Sequence, residues 1–148
     1  MKEYKSKLKM FELKKIQTDF QNVKISKSSE GYDFIRNFYG DDIEIFESVF
    51  ALFLNNANNT IGYAKISQGG ITGTFVDIRI IAKYAVESMA TAVIVAHNHP
   101  SGKTSPSEQD DKITKELKVG LKTLGIHLID HLIITKNSYY SYQDESKI

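Results

Sequence analysis

The chain contains no cysteine. That excludes disulfides, thiolate nucleophiles and cysteine-type structural zinc sites, so any bound metal has to be held by nitrogen and oxygen ligands. It also fits a reducing compartment. Long apolar runs are missing as well. No stretch approaches the roughly 20 residues of a membrane span, and the lysine-rich segment Met1 to Lys15 has no apolar signal-peptide core. A cytoplasmic protein with no membrane association is therefore expected. Repeats and low-complexity segments are absent, and 148 residues suit one domain with a substantial core.

Charge of one sign does not dominate, since the formal net charge is +1. It is unevenly spread, however. Residues 1–27 carry eight Lys against Glu3, Glu12 and Asp19, a net of +5, while the remainder carries −4. This divides the chain into a basic N-terminal arm, 1–27, and a domain, 28–148. Such an arm has the charge to touch nucleic-acid phosphates, and equally the composition of a solvated terminus.

Strand and helix patterns alternate through the domain. Ser28-Ser29-Glu30 offers an N-cap for a helix that runs through Tyr32, Phe34, Ile35, Phe38 and Tyr39 toward Gly40. Glu47 to Leu54 and Thr60 to Ser67 read as two strands of a hairpin. Gly69, Gly70 and Gly73 mark an irregular connection. Asp77 to Ala90 reads as a helix with Ile80, Ile81, Tyr84, Ala85 and Met89 available for burial. Ala92 to Ala96 is apolar on both alternating faces, as a central strand is. Ser105-Pro106-Ser107-Glu108 looks like a capping box with Pro at the first helical position, and Gly125 closes that helix. Ile126 to Thr135 and Tyr139 to Tyr142 supply further strands. A hairpin followed by alternating helices and strands predicts an α/β domain with a mixed sheet.

Half of the four histidines stand in His97-Asn98-His99, at the end of the central strand. Side chains two apart on a strand share a face, so both imidazoles emerge beside Val93 and Val95. In the helix that follows, Ile113, Leu117, Leu121 and Leu124 form one face, and Asp110 shares it by helical phase. Asp111 falls instead with Lys115, Lys118 and Lys122 on a solvent face. A core-facing carboxylate needs a partner. A divalent cation shared with His97 and His99 would supply one. Three protein ligands leave a fourth position for water, the layout of a catalytic zinc. Ser107 can bring a hydroxyl near the metal, and Glu47, an acid at the head of an apolar strand, is the candidate base. A serine at a helix start also serves simply as a cap, and an acid at a strand start is commonly solvated. What favours chemistry is their joint placement. His127 and His131, in or beside an apolar strand, read as structural, with His131 hydrogen-bonded to Asp130; support of a metal ligand is the lesser alternative. The contiguous letters HNH do not make the nuclease motif of that name, which is spread across a ββα-metal unit.

The spacing His97-x-His99, seven residues, Ser107, two residues, Asp110 resembles the JAMM (JAB/MPN+) metalloprotease motif, in which a glutamate lies well upstream. His97-Asn98-His99-Pro100-Ser101-Gly102 is similar to the hallmark of its RadC-like branch. Ser67-x-Gly69-Gly70-x-x-Gly73-Thr74-x-x-Asp77-x-Arg79, Pro106-Ser107, Thr114, Asp130-His131 and Tyr139-Tyr140-Ser141-Tyr142 extend the likeness over roughly residues 24–145, within the boundary error of such readings. The resemblance implies a single JAB/MPN-type domain, a curved mixed sheet flanked by helices. It further implies zinc on His97, His99 and Asp110, Glu47 as acid/base and Ser107 steadying the oxyanion. The implied reaction is hydrolysis, by metal-bound water, of an amide in a peptide or isopeptide-linked protein. The DNA-repair label traditional for RadC-like proteins implies a second reading, a metal-binding accessory module that associates with DNA. Two departures stand out. Asp77-Ile78-Arg79 replaces the common Asp-Pro-Arg, and residues 1–27 leave no room for the helix-hairpin-helix region common in full-length RadC proteins.

Overall fold

The computed structural model describes residues 8–12, 14–70 and 74–148. In chain order the elements are α1 (Ser28–Arg36), a 3-10 turn (Asp41–Glu44), β1 (Ser48–Leu54), β2 (Thr60–Gln68), α2 (Ile78–Glu87), β3 (Ala92–Asn98), α3 (Glu108–Thr123), β4 (His127–Ile134) and β5 (Tyr139–Ser141). The strands form one mixed sheet in the order β2-β1-β3-β4-β5, with β3 and β4 parallel and the other neighbours antiparallel. Both β1 and β3 are buried along their whole length, which is why their sequences are apolar on both faces.

Alternation along β3 sends Val93 and Val95 into a core shared with Ile81, Ala85, Leu117 and Leu121 of α2 and α3. Ala92, Ile94 and Ala96 point the other way, into a core shared with Ile35 of α1 and with Tyr39. His97 therefore faces α3, and Asn98 faces the α1 side. Upstream of α1, Ile25 is buried, its N–H donates to the Asn58 carbonyl, and the Phe20 ring packs edge-on against Phe38 and Tyr63. Among the described residues, no helix is long and apolar enough to cross a membrane.

Several local expectations are corrected. Lys27, not Ser28, is the N-cap of α1. The Ser28 hydroxyl instead donates to Asp144, and Glu30 reaches back to the Ser26 N–H. The capping box of α3 is closed by Ser107 and Asp110, two residues later than the Ser105 pattern suggests, and Pro106 precedes the helix. Met89 is 82% exposed with φ 56°, because the chain reverses there to let the Ala90 N–H reach the Ala85 carbonyl; Ile80 in α2 and Leu124, just past α3, also stand exposed. Asp111 is half-buried and accepts a hydrogen bond from the Tyr142 hydroxyl at 2.8 Å, so its role is to dock the C-terminal segment. Of the irregular glycine connection, Gly73 lies outside the described residues, while the Gly69 N–H donates to the Glu47 carbonyl.

Candidate metal centre

Strand register brings the site together at the C-terminal end of β3. His97 pairs with Val49 of β1 on one side and with Ile133 of β4 on the other. Because β1 runs antiparallel to β3, its first residues, and Glu47 just before them, lie beside the last residues of β3. The start of α3 closes the same end. Sites in α/β sheets commonly form beyond the carboxyl ends of the parallel strands.

Glu47, His97 and His99 each present a ligand atom within 4.8 Å of the others. Asp110 joins them: its Oδ1 is 3.2 Å from His97 Nε2 and its Oδ2 3.4 Å from His99 Nε2. The two Nε2 atoms are 3.0 Å apart. A tetrahedral zinc with ligands at 2.0–2.1 Å would hold its donors about 3.3 Å apart, so this donor set has the size and chemistry for that ion. His97 and His99 thus meet both carboxylates, Asp110 through these two contacts and Glu47 as the third member of the set whose donors all lie within 4.8 Å of one another. Its cleft is lined also by Thr74, Phe75 and Gln109.

Local structure aims each group. The capping box sets Asp110, whose Oδ2 accepts from the Ser107 N–H at 2.8 Å while Ser107 Oγ accepts from the Asp110 N–H at 3.1 Å. The Ser107 hydroxyl thus serves as a cap and still has its own proton to donate. Gly102, at φ +81°, permits a turn that brings the Lys103 carbonyl to 2.8 Å from His99 Nδ1. A carbonyl only accepts, so His99 donates from Nδ1 and its Nε2 is left to face Asp110.

Glu47 is pinned through its backbone by Asn98, a residue whose role the sequence reading missed. The Asn98 side chain accepts from the Ser48 N–H at 2.7 Å and donates to the carbonyls of Ile43 at 2.6 Å and Phe46 at 2.8 Å. The signal was available: a fully buried amide on an otherwise apolar strand must have partners. The Tyr39 hydroxyl adds a bond to the Ser48 carbonyl.

For His131 the expected bond to Asp130 is present, made by the backbone N–H, and the lesser expectation, support of a ligand, fits better than a purely structural role: the ring lies between His97 Nδ1 at 2.8 Å and Thr114 Oγ1 at 2.6 Å. It therefore supports a site histidine rather than only filling the core. The reason is tertiary: β4 places it beside β3, and α3 supplies Thr114. His127 is exposed.

The electrostatics are those of clustered opposite charges. Burial pushes Asp110 up, but hydrogen bonds to His97 and His99 outweigh it and hold the carboxyl far below its usual range. The same bond to Asp110 raises His99, against the effect of burial. Burial raises Glu47, opposed by the two histidines, and burial holds His131 well below 6.5, hence neutral. A proton on His99 competes with a metal for one lone pair. Affinity for a divalent metal is therefore expected to fall as the pH is lowered, beginning above the ordinary histidine value of 6.5. Titration at several pH values checks this, and an affinity unchanged between about pH 8 and pH 6 would contradict it.

Fold and site together define a mixed-sheet α/β domain with a His, His, Asp and Glu centre able to take a divalent metal. The family model described as the RadC-like JAB domain matches residues 25–147, and the chain belongs to that family. A UPF0758 protein of Flavobacterium johnsoniae is 43% identical over 122 residues, covering 82% of this chain and 52% of the relative. UPF0758 proteins of Streptococcus gordonii and Streptococcus sanguinis are 42% and 38% identical, covering 69% and 68% of this chain and 45% and 44% of their own lengths. The chain spans about half the length of these curated relatives.

Proposed function

We propose that this protein is a cytoplasmic zinc-dependent hydrolase that cleaves amide bonds in peptides or isopeptide-linked proteins. The observation that carries this reading is the meeting of two imidazoles with two carboxylates, Glu47 and Asp110, at one cleft. His97, His99 and Asp110 would hold the ion. When bound, zinc supplies Lewis acidity and lowers the pKa of water from 15.7 to roughly 7.

The remaining steps belong to the chain's own residues. Glu47 takes the proton that the attacking water gives up and returns it to the leaving amine. Its partial burial, which raises the carboxylate, suits a group that must both accept and release a proton. Ser107 donates its free hydroxyl proton to the oxygen on which negative charge develops. Apolar walls formed by Val49, Val76 and Ile113, with Phe75 exposed at the lip, suit an amide flanked by apolar side chains.

Metal analysis and a fluorogenic peptide-amide library test the reading. About one zinc per chain is expected, with hydrolysis lost on chelation and restored by added zinc. A protein that takes up no zinc when it is supplied would rule the reading out. Zinc uptake without any hydrolysis would favour an accessory module.

A further inference from the structure

Hydrogen bonds run in series behind His97. Thr114 Oγ1 lies 2.7 Å from the carbonyl oxygen of Asp110 and 2.6 Å from His131 Nδ1, and His131 Nε2 lies 2.8 Å from His97 Nδ1. A hydroxyl has one proton to give, and a carbonyl has none. The contact with the Asp110 carbonyl is therefore made by the Thr114 proton. Were that proton turned toward His131, two oxygen lone pairs would face each other at 2.7 Å.

With its proton committed, Thr114 accepts from His131. The His131 hydrogen is then on Nδ1, and its Nε2 is an acceptor. His97 must donate from Nδ1, so the nitrogen it can offer a metal is Nε2, on the side of Glu47, His99 and Asp110; a hydrogen on that Nε2 would go to Asp110 Oδ1 at 3.2 Å, and a bound metal would take its place. Packing holds the relay in place. His131 is 2% exposed, and its ring stacks on Tyr142 at 5.1 Å with 10° between the planes.

We propose that Thr114 and His131 are positioning residues that fix the tautomer and ring orientation of His97, so that its Nε2 lone pair is aimed at the metal position. This rests on the proposed zinc site. It assigns a role to two residues that touch neither substrate nor ion. Groups that orient metal-ligating histidines typically contribute about 10- to 100-fold to metal affinity.

Two measurements test it. The first is long-range proton–nitrogen NMR of the histidine rings in the wild-type protein. It is expected to show His131 as the neutral tautomer with hydrogen on Nδ1. Hydrogen on Nε2 would overturn the relay, and this readout needs neither a variant nor activity. The second is competition of zinc against a chromophoric chelator. Thr114→Val is expected to weaken zinc binding about 10- to 100-fold, and Thr114→Ser, which keeps the hydroxyl, to restore it. His131→Phe retains a ring against Tyr142 but loses the acceptor, and is expected to weaken zinc similarly. A Thr114→Val protein that binds zinc as tightly as wild type would overturn the proposal. Failure of the wild type to bind zinc would instead strike the zinc reading, leaving the His131 tautomer to decide the relay.

Discussion

Glu47→Gln is expected to lower amide hydrolysis by about 100- to 10,000-fold, the span of general acid–base catalysis, while leaving zinc bound. The substitution preserves size and hydrogen-bonding capacity but removes the ability to take a proton. The backbone at this position is held independently of the side chain. The Gly69 N–H donates to the Glu47 carbonyl, and Asn98 grips the residues on either side. Structure and stability should therefore survive. His97→Ala is the contrasting variant: it removes one ligand of the ion and empties a buried position on β3, so metal and stability are both lost. Turnover of fluorogenic peptide amides, with zinc per chain measured by mass spectrometry, separates the two. Full activity in Glu47→Gln would sink the mechanism. Loss of zinc in that variant would make the carboxylate a ligand, as its place within 4.8 Å of the histidine donors allows, and the acid/base assignment would fall.

Asn98→Leu is expected to destabilise the fold by about 2–6 kcal/mol, since each buried polar group left unpaired costs about 1–3 kcal/mol. Two buried groups lose their partner, the Ser48 N–H and the Ile43 carbonyl, and so does the part-buried Phe46 carbonyl. Leucine keeps the number and branching of the side-chain heavy atoms, so the loss does not come from a cavity. The effect is a large fraction of a typical domain stability of about 5–15 kcal/mol. It also releases the turn that carries Glu47, so any folded fraction should bind zinc yet hydrolyse poorly. Urea denaturation of the metal-free protein measures the first effect. A change below about 1 kcal/mol would show that Asn98 is not the clamp described.

Much of the fold was readable in the chain because burial writes itself as periodicity. The fully apolar runs of β1 and β3 announced central strands, and the structure buries both along their whole length. Helical phase separated Asp110, which meets the histidines, from Asp111, which docks Tyr142. Caps were harder to read, because Ser105, Ser107 and Ser28 each carry a suitable hydroxyl. Only the path of the backbone decides which hydroxyl meets a free N–H, and at α3 that one is Ser107.

By itself the sequence determined that this is an α/β domain with two histidines on one strand face and an inward carboxylate one helix later. Those are properties of local geometry, set by periods of two and 3.6 residues. The tertiary structure alone decided what stands behind them. Asn98 reaches back 50 residues to Ser48, and His131, 34 residues on, joins His97 to Thr114. Such bonds depend on strand order and register, which neighbours in the chain do not specify. His97-Asn98-His99 therefore holds one residue aimed at the metal position through a relay, one steadied by a loop carbonyl, and a third on the opposite face that anchors Glu47.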